Sequence, residues 1–421
     1  MQLRYPEATI ITMKQLLIAS LLCVVAFSCK QQPQPTNKVT IGTIDSIYSP
    51  VLKEYRKIWV YVPDQGSTAN NNKQKYPVLY LLDGDAHFSS VVGMLEHLSN
   101  SAVCPKMIVV AIPNTDRTRD LTPTHVVGGL YMDSASSKTS GGGEAFLQFI
   151  EKELMPHIDS AYPTAPYKML VGHSFGGLTV MNTFVHHNNL FNAYVAIDPS
   201  MWWDKQKLLN EAQQALQKNN YKGKSLYLGI ANTMEEGMDT ARVKLDTTDG
   251  TMHIRSILKL RDYFVQTQAK NGLHFSYKYY GDDNHGSVPL ITEYEGLRSI
   301  FNFYKLTLRN IYFFDSTVRL DSIIDAHYKN ISAQFGFTVK PPEDLVNELG
   351  NNFLQQKQLG KAGRLLALNV ANYPESFNVY DSQGDYYVAI GNKANAAECY
   401  KKSLAIKQTP ETKKKLDGLG K

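Results

Sequence analysis

A serine lies at the centre of the segment MLVGHSFGGL, residues 169–178. The run GHSFG fits the pattern G-x-S-x-G, with Gly172 two residues before Ser174 and Gly176 two residues after it. An apolar, strand-like run precedes the motif and a helix-like run follows it, which is the context of a nucleophile on a sharp strand-to-helix turn. The start of the helix favours negative charge that develops near the serine oxygen. We therefore predict that Ser174 is a nucleophile, the alternative being a small residue in a tight turn.

A serine hydroxyl becomes a good nucleophile only when a base accepts its proton. The segment YKYYGDDNHGSVP supplies His285 in a loop that follows an apolar run, and Ser287 and Pro289 signal that a helix starts just after it. In proteins with this serine motif the chain order is serine, acid, histidine. His285 is therefore the predicted base, the alternative being a solvated loop residue.

The third group should be a carboxylate that holds the imidazole in one tautomer and stabilises its protonated form. It is expected after the run SLYLGIA, where the sequence continues NTMEEGMD. Glu235 is nearest to the end of that run and is the predicted acid. The sequence leaves open a serine–histidine pair without a third member, and three other carboxylates: Glu236, Asp239 and Asp198 in the segment AIDPS.

Acyl transfer also needs two backbone N–H donors that bind the oxygen of the tetrahedral intermediate. Phe175, the residue after the nucleophile, is one predicted donor. The other is Asp85 in the segment DGDAHF, where Gly84 lets the backbone turn closely. Asp83 and Asp85 could also be calcium ligands, but the rest of a binding loop is missing.

The elements that must position these groups are strands alternating with helices over residues 39–305. The strand-like runs are RKIWVYV, PVLYLL, KMIVVAI, KMLVG, AYVAI, SLYLGIA and FSYKYY. This alternation predicts an α/β fold whose mostly parallel sheet has helices on both faces. The polar stretch QGSTANNNKQK separates the first two runs, so we predict that these two strands form a hairpin ahead of the parallel core.

The C-terminal part of the chain has a different pattern. Residues 306–341 are predicted to be a linker, and residues 342–419 to be a small all-α domain. Within the latter, Gly350 matches Gly384 at an offset of about 34 residues, which resembles the tetratricopeptide repeat. Because two such units rarely bury enough surface alone, we predict that they dock on the first domain or on a linker helix. Their role is either a partner-binding groove or a stabilising appendage.

The N-terminal region resembles an export signal. The segment MKQLLIASLLCVVAFSCK starts at Met13 with one lysine, continues with a short apolar run and ends in AFSC. That ending is similar to a bacterial lipoprotein signal, in which Cys29 becomes the lipidated first residue. We predict a lipoprotein-type signal over residues 1–29 with its true start at Met13, a tether over residues 30–38, and export to the bacterial periplasm or cell surface. Plain secretion is the alternative.

Composition excludes several other classes. The 421 residues carry a net charge of only +5, with Lys and Arg spread along the chain, so nucleic-acid binding has no support. Beyond Cys29 the chain holds only Cys104 and Cys399, in different predicted domains, which argues against a disulfide framework. No Cys/His cluster has zinc spacing, and neither a metal nor another cofactor is predicted.

Residues from Val39 to about Lys305 resemble the putative esterase family of α/β-hydrolases, which includes esterase D, feruloyl esterases, mycolyltransferases and ferric siderophore esterases. The matching pieces are SPVLKEYRKIWVYVP, YPVLYLLDGDAHF, IPNTDRTRDLTP, VGHSFGGL, DPSMWWD and DDNHGSVP. The siderophore-esterase branch is the most similar. The resemblance implies an α/β-hydrolase fold and acyl transfer through an acyl-serine. It also implies catalysis by Ser174 and His285, with the N–H groups of Asp85 and Phe175 as oxyanion donors. The acid position is not cleanly matched, and the helical repeats are not part of the family core.

Other shared segments predict the walls of a substrate cleft. Trp202 and Trp203 follow a strand end, where ligand-facing loops gather, and could stack on a catecholate or aryl ester. Arg117 or Arg119 could meet an anionic substrate, and His87 is also predicted to contact the substrate. The alternatives are tryptophans packed beneath a lid helix and arginines in structural ion pairs with Asp116 or Asp120.

These observations predict an exported serine esterase acting on a small-molecule ester, such as a ferric catecholate siderophore. The runner-up is a carbohydrate esterase that removes feruloyl or acetyl groups. From a different class, the protein could be an inactive hydrolase scaffold that serves as a binding module, with the repeats docking a protein partner. Membrane contact is expected only through a lipid on Cys29.

Overall fold

The computed structural model of the protein describes residues 39–63, 74–129 and 131–420. The predicted export signal and tether lie outside these residues. One eight-stranded sheet has the order β1-β2-β4-β3-β5-β6-β7-β8. The strands are β1 (Thr43–Ser49), β2 (Glu54–Tyr61), β3 (Tyr76–Leu82), β4 (Ile108–Ile112), β5 (Thr164–His173), β6 (Ala193–Ile197), β7 (Ser225–Ala231) and β8 (His274–Tyr280). The strands from β4 to β8 in this order are parallel to one another, which confirms the predicted α/β fold.

The predicted hairpin between the first two apolar runs is wrong. The strand before the polar loop, β2, pairs antiparallel with β1 and β4. The strand after the loop, β3, pairs in parallel with β4 and β5 instead. β1 was missed because TIDSIYS is largely exposed at the sheet edge and lacks the continuous apolar run of a buried strand.

The central strands are apolar because both faces of the sheet are covered. Side chains alternate along a strand, so in β3 Val78 and Tyr80 point to one face while Leu79 and Leu81 point to the other. All four are at most 1% exposed. The face with Tyr80 packs on the helices Gly143–Phe149, Phe175–His186, Trp203–Lys218 and Met252–Asn271. The face with Leu79 packs on the helices Gly84–Asn100 and Val288–Ile300.

The helices are α1 (Gly84–Asn100), α2 (Arg117–Leu121), α3 (Gly143–Phe149), α4 (Met155–Ala161), α5 (Phe175–His186), α6 (Trp203–Lys218), α7 (Met252–Asn271), α8 (Val288–Ile300), α9 (Ile311–Phe314), α10 (Leu320–Phe335), α11 (Glu343–Gln355), α12 (Leu359–Asn372), α13 (Phe377–Ala389), α14 (Lys393–Ile406) and α15 (Pro410–Gly418). In the part of the chain that the structure describes, none of them is both long and apolar enough to cross a membrane.

The C-terminal region is all helical, as predicted, and its glycines explain the spacing seen in the sequence. A Cβ on Gly350 of α11 would come within 2.7 Å of Leu366 on α12. A Cβ on Gly384 of α13 would come within 2.3 Å of Tyr400 on α14. The two helices of each hairpin therefore pack closely at the position where the sequence has a glycine.

The segment predicted to be a linker contains α9 and α10. Phe335, the last residue of α10, packs edge-on against Tyr167 of β5 with ring centroids 4.9 Å apart. Ile324 of α10 and Val346 of α11 are fully buried in the same hydrophobic cluster as the sheet. The helical repeats thus dock through a helix of this segment, one of the two arrangements that the sequence predicted.

Candidate active site

Ser174 occupies a strained turn between the end of β5 and the start of α5. Its φ of 59° and ψ of −113° lie in a region that side chains other than glycine rarely adopt. The flanking glycines make the turn possible, since a Cβ on Gly172 would come within 2.5 Å of Gly176 O. A Cβ on Gly177 would also clash, at 2.9 Å from Ile197 O. The local sequence therefore dictates this turn.

The structure brings Ser174 and His285 together although 111 residues separate them. His285 lies in the loop after β8, and its Nε2 is 3.1 Å from Ser174 Oγ. The opposite ring nitrogen, Nδ1, is 2.6 Å from Asp198 Oδ2. Asp198 directly follows β6, next to β5 in the sheet, so the three groups meet at the carboxyl ends of β5, β6 and β8.

Asp198 is fully buried and accepts three hydrogen bonds. Ala231 N–H donates to Oδ1 at 2.9 Å, while Oδ2 contacts His285 Nδ1 and His253 Nε2, the latter at 2.8 Å. Burial alone would raise the pKa of this carboxyl. The hydrogen bonds from His253 and His285 outweigh it and hold the pKa well below its ordinary value. Asp198 is therefore an anion at neutral pH and acts only as an acceptor.

The structure places Asp198, and not the predicted acid Glu235, beside His285. Glu235 is exposed in the loop after β7, where its Oε1 faces Gly250. Glu236 is exposed as well, and Asp239 accepts hydrogen bonds from the backbone of its own turn. The acid follows β6 here, one strand earlier in the chain than expected. The available signal was an aspartate placed between an all-apolar strand and a proline in the segment AIDPS.

The predicted oxyanion donors lie in the first turns of two helices, where backbone N–H groups have no acceptor within the helix. Phe175 is the first residue of α5 and Asp85 is the second residue of α1. Gly84 lets the start of α1 lie close to the end of β4, because a Cβ at this position would come within 2.7 Å of Ile112 N. Asp83 before it is left-handed, with φ of 51°, and its carboxylate anchors the turn.

Arg117 and Arg119, predicted to meet the substrate, are both engaged within the protein. Arg117 donates to both carboxylate oxygens of Asp83, at 2.6 and 3.0 Å, and to His173 O at 3.2 Å. It therefore braces the loop of one oxyanion donor against the serine turn. Arg119 donates to Glu54 and Asp120 at the far side of α2. Arg119 thus forms the ion pair with Asp120 that was considered from the sequence, whereas Arg117 pairs with Asp83 instead of Asp116 or Asp120.

His87, the remaining predicted substrate contact among the charged residues, is turned towards the protein interior. Its Nδ1 lies 2.9 Å from Glu293 Oε1 of α8, and the two side chains are only 14% and 2% exposed. Its ring lies 6.2 Å from that of His173. His87 thus links the first turn of α1, which carries the predicted donor Asp85, to α8.

The two tryptophans have different surroundings. Trp203 is 2% exposed, and its Nε1–H donates to Thr124, so it packs beneath the loop that precedes α3. Trp202 is half-buried and lies against Tyr131, with ring centroids 4.7 Å apart, and against Phe175. Only Trp202 therefore fits the predicted cleft wall, together with Tyr131, which the sequence did not single out.

One ligand atom from each of Asp198, His253 and His285 lies within 4.8 Å of the others, a spacing that would suit a metal ion. The same atoms already satisfy one another, because both imidazoles are hydrogen-bonded to the one carboxylate oxygen. We interpret the cluster as a carboxylate shared by two imidazole donors.

The mostly parallel sheet, the serine on its strand-to-helix turn and the adjoining histidine and carboxylate define an α/β-hydrolase. The chain belongs to the putative esterase family, whose model matches residues 49–284. Ser174 and Asp198 lie within that match, and His285 follows it directly.

Curated relatives include the siderophore enterobactin esterase of Emericella nidulans, 30% identical over 151 residues, which are 32% of this chain and 50% of the relative. The ferri-bacillibactin esterase BesA of Bacillus subtilis is 30% identical over 161 residues, 34% of this chain and 56% of the relative. The chain spans about half the length of these relatives.

Solved structures extend the similarity further along the chain. An IroE-like serine hydrolase from Shewanella oneidensis is 31% identical with a TM-score of 0.65, covering 79% of this chain and 99% of that one. An uncharacterised protein from Capnocytophaga ochracea covers 90% of this chain and 99% of that one with a TM-score of 0.61. At 17% identity the latter shows the fold alone.

Proposed function

We propose that this protein is a serine carboxylic ester hydrolase that works through an acyl-serine intermediate. The observation that carries the proposal is the chain of contacts from Ser174 Oγ to His285 Nε2 at 3.1 Å and from His285 Nδ1 to Asp198 Oδ2 at 2.6 Å. An ionised carboxylate keeps the proton on Nδ1, so the lone pair of Nε2 faces the serine hydroxyl.

In the proposed reaction Ser174 Oγ attacks the ester carbonyl carbon while His285 Nε2 takes the hydroxyl proton. The N–H groups of Asp85 and Phe175 stabilise the oxyanion of the tetrahedral intermediate. The imidazolium then gives its proton to the leaving alcohol, which leaves an acyl-serine. A water molecule, deprotonated by the same imidazole, releases the acid and restores Ser174.

The substrate class that we propose is an ester that carries aryl groups near the bond that is cleaved, as a catecholate siderophore does. Support comes from the siderophore esterases among the relatives and from the aromatic wall beside the nucleophile. The ring of Trp202 lies 6.2 Å from that of Phe175, the residue that follows Ser174, and the ring of Tyr131 meets Trp202 edge-on at 4.7 Å. Planar rings stack favourably on such side chains.

We also propose that the protein is exported and anchored through a lipid on Cys29. The support is the apolar run that ends in AFSC at the N-terminus. Metabolic labelling with an alkyne-bearing fatty acid should mark the wild type and not Cys29→Ala. Equal labelling of the two would contradict the anchor.

A hydrolysis screen tests the activity and the substrate class together. Purified wild type and Ser174→Ala are each given a ferric tricatecholate triester, a feruloylated sugar and an acetylated sugar, and released acid is quantified. We expect the wild type to prefer the tricatecholate ester and Ser174→Ala to be inactive on all three. Retained activity in folded Ser174→Ala would reject the mechanism, and preference for a sugar ester would reject the substrate class.

A further inference from the structure

The acid has more donors than the proposed mechanism uses. Acyl transfer requires one imidazole on Asp198, yet Oδ2 accepts from two, His285 Nδ1 at 2.6 Å and His253 Nε2 at 2.8 Å. Ala231 N–H occupies the other oxygen. Three donors around this fully buried carboxylate hold it in a single orientation.

His253 comes from a rigid element. It is the second residue of α7, and its side chain is only 11% exposed. The next residues on the buried face of the helix, Ile254, Ile257 and Leu258, are fully buried against the sheet. A donor held by such a helix places its N–H with little freedom.

The two imidazole rings are perpendicular to each other. The His253 and His285 ring planes are 89° apart, with centroids 5.0 Å from each other. Since the ionised carboxylate only accepts, His253 carries its proton on Nε2 and His285 carries its proton on Nδ1. The Nε2–H of His253 thus points at Asp198 Oδ2, while His285 keeps Nε2 available to the serine.

We propose that His253 is a positioning residue, which donates to Asp198 Oδ2 and so holds the carboxylate in the orientation that aims His285 Nε2 at Ser174 Oγ. This inference rests on the proposed ester hydrolysis. A second consequence concerns basicity: a donor that shares Oδ2 draws charge away from the contact with His285. Without it, the carboxylate stabilises the protonated imidazole more strongly.

Two amide variants at position 253 have the same polar group, but only one of them can reach Asp198. The amide nitrogen of His253→Gln stands at the same distance from the backbone as Nε2, so it can donate to Asp198. His253→Asn carries the same amide one methylene shorter and cannot reach. His186, an exposed histidine on α5 that contacts Glu211, gives the matched control pair His186→Gln and His186→Asn.

We expect kcat of His253→Asn on an aryl ester to fall roughly 10- to 100-fold with little change in KM, because a misaimed base loses rate rather than binding. His253→Gln should stay near the wild type, and both His186 variants should be unchanged. Wild-type kcat in His253→Asn, or equal losses in the two His253 variants, would overturn the proposal.

The pH profile supplies a readout that a merely structural role would not move. Activity needs an unprotonated base, so kcat/KM falls on the acid side. We expect that acid limb to move to higher pH in His253→Asn, by up to about one pH unit, and to return towards the wild type in His253→Gln. The charged and titratable groups that face His285 are Asp198, His253 and His173, with Asp83 and His87 behind His173.

Failure of this inference and failure of the proposed function are distinguishable. If Ser174→Ala is inactive while His253→Asn retains the wild-type rate and profile, only the role of His253 is wrong. If Ser174→Ala is active, the underlying mechanism is wrong. Thermal unfolding of each variant shows whether it is folded, and the comparison of Gln with Asn holds even when both lose some stability.

Discussion

Two buried carboxylates, Asp198 and Asp120, are surrounded by different donors. Asp198 contacts the imidazoles of His285 and His253, and Asp120 contacts the guanidinium groups of Arg56 and Arg119. Both carboxylates are at most 1% exposed. Guanidinium keeps its charge at every accessible pH, whereas imidazole gains and loses a proton near neutrality. The same buried anion therefore serves as a fixed brace in one place and can support proton transfer in the other.

The largest expected effect separates these two uses. Asp198→Asn keeps the shape of the side chain but removes the charge that sets the tautomer of His285. We expect kcat on an aryl ester to fall about 10³–10⁴-fold, as when an acid of this kind is neutralised. Steady-state kinetics on a folded sample checks this, and a loss of less than tenfold would show that the serine and histidine act without the acid.

Asp120→Asn should show the reverse pattern. Removing the anion leaves Arg56, which is 1% exposed, with Glu54 as its remaining carboxylate partner, so the free energy of unfolding should fall by up to about 3–5 kcal/mol. Denaturant unfolding measures this, while kcat of the folded protein should drop far less than in Asp198→Asn. A stable Asp120→Asn variant with a large loss of kcat would contradict the structural role of Asp120.

A third imidazole shows what happens without a carboxylate partner. Burial, with the nearby charge of His285 adding to it, lowers the pKa of His173 to about 4. The unfolded chain therefore takes up a proton on this residue between about pH 6.5 and 4 while the folded protein does not. The free energy of unfolding should decrease as the pH is lowered from about 6.5 to 4. His173→Gln should reduce this dependence on pH, measured by denaturant unfolding at several pH values. An unchanged slope would contradict the buried neutral state.

The smallest expected effect is at the acid that the sequence favoured. Glu235 is exposed and lies away from His285, so Glu235→Gln should change neither kcat nor the pH profile. It is the matched control for Asp198→Asn, since both convert a carboxylate to its amide. A loss comparable to that of Asp198→Asn would restore Glu235 as the acid.

The parts of the site that follow from local sequence were predictable. The glycines around Ser174 specify a turn through contacts with residues a few positions away, and the helical hairpins repeat a local pattern of small and large residues. His285 was predicted from the chain order of serine, acid and histidine and from its place in the loop after the last strand. The mostly parallel sheet followed in the same way from its continuous apolar runs.

The sequence left Asp198 as one of four candidate carboxylates and did not single out His253, because both contacts depend on which strand ends and helix starts meet in space. Residues 55 positions apart, Asp198 and His253, contact each other only because α7 begins beside the end of β6. The sequence left Arg119 either facing a substrate or paired with Asp116 or Asp120, and only the fold shows that Glu54 and Asp120 accept its hydrogen bonds. Polar β1 was missed for the related reason that an edge strand is stabilised by its neighbour.

The most direct test of the central claim is acid quenching of the reaction with a slow aryl ester, followed by peptide mass spectrometry. The account predicts an acyl adduct on the Ser174 peptide that accumulates in the wild type and in Glu235→Gln at the same rate. It predicts that the adduct forms far more slowly in Asp198→Asn and is absent in Ser174→Ala. An adduct on another residue, or equal rates in Asp198→Asn and the wild type, would contradict it.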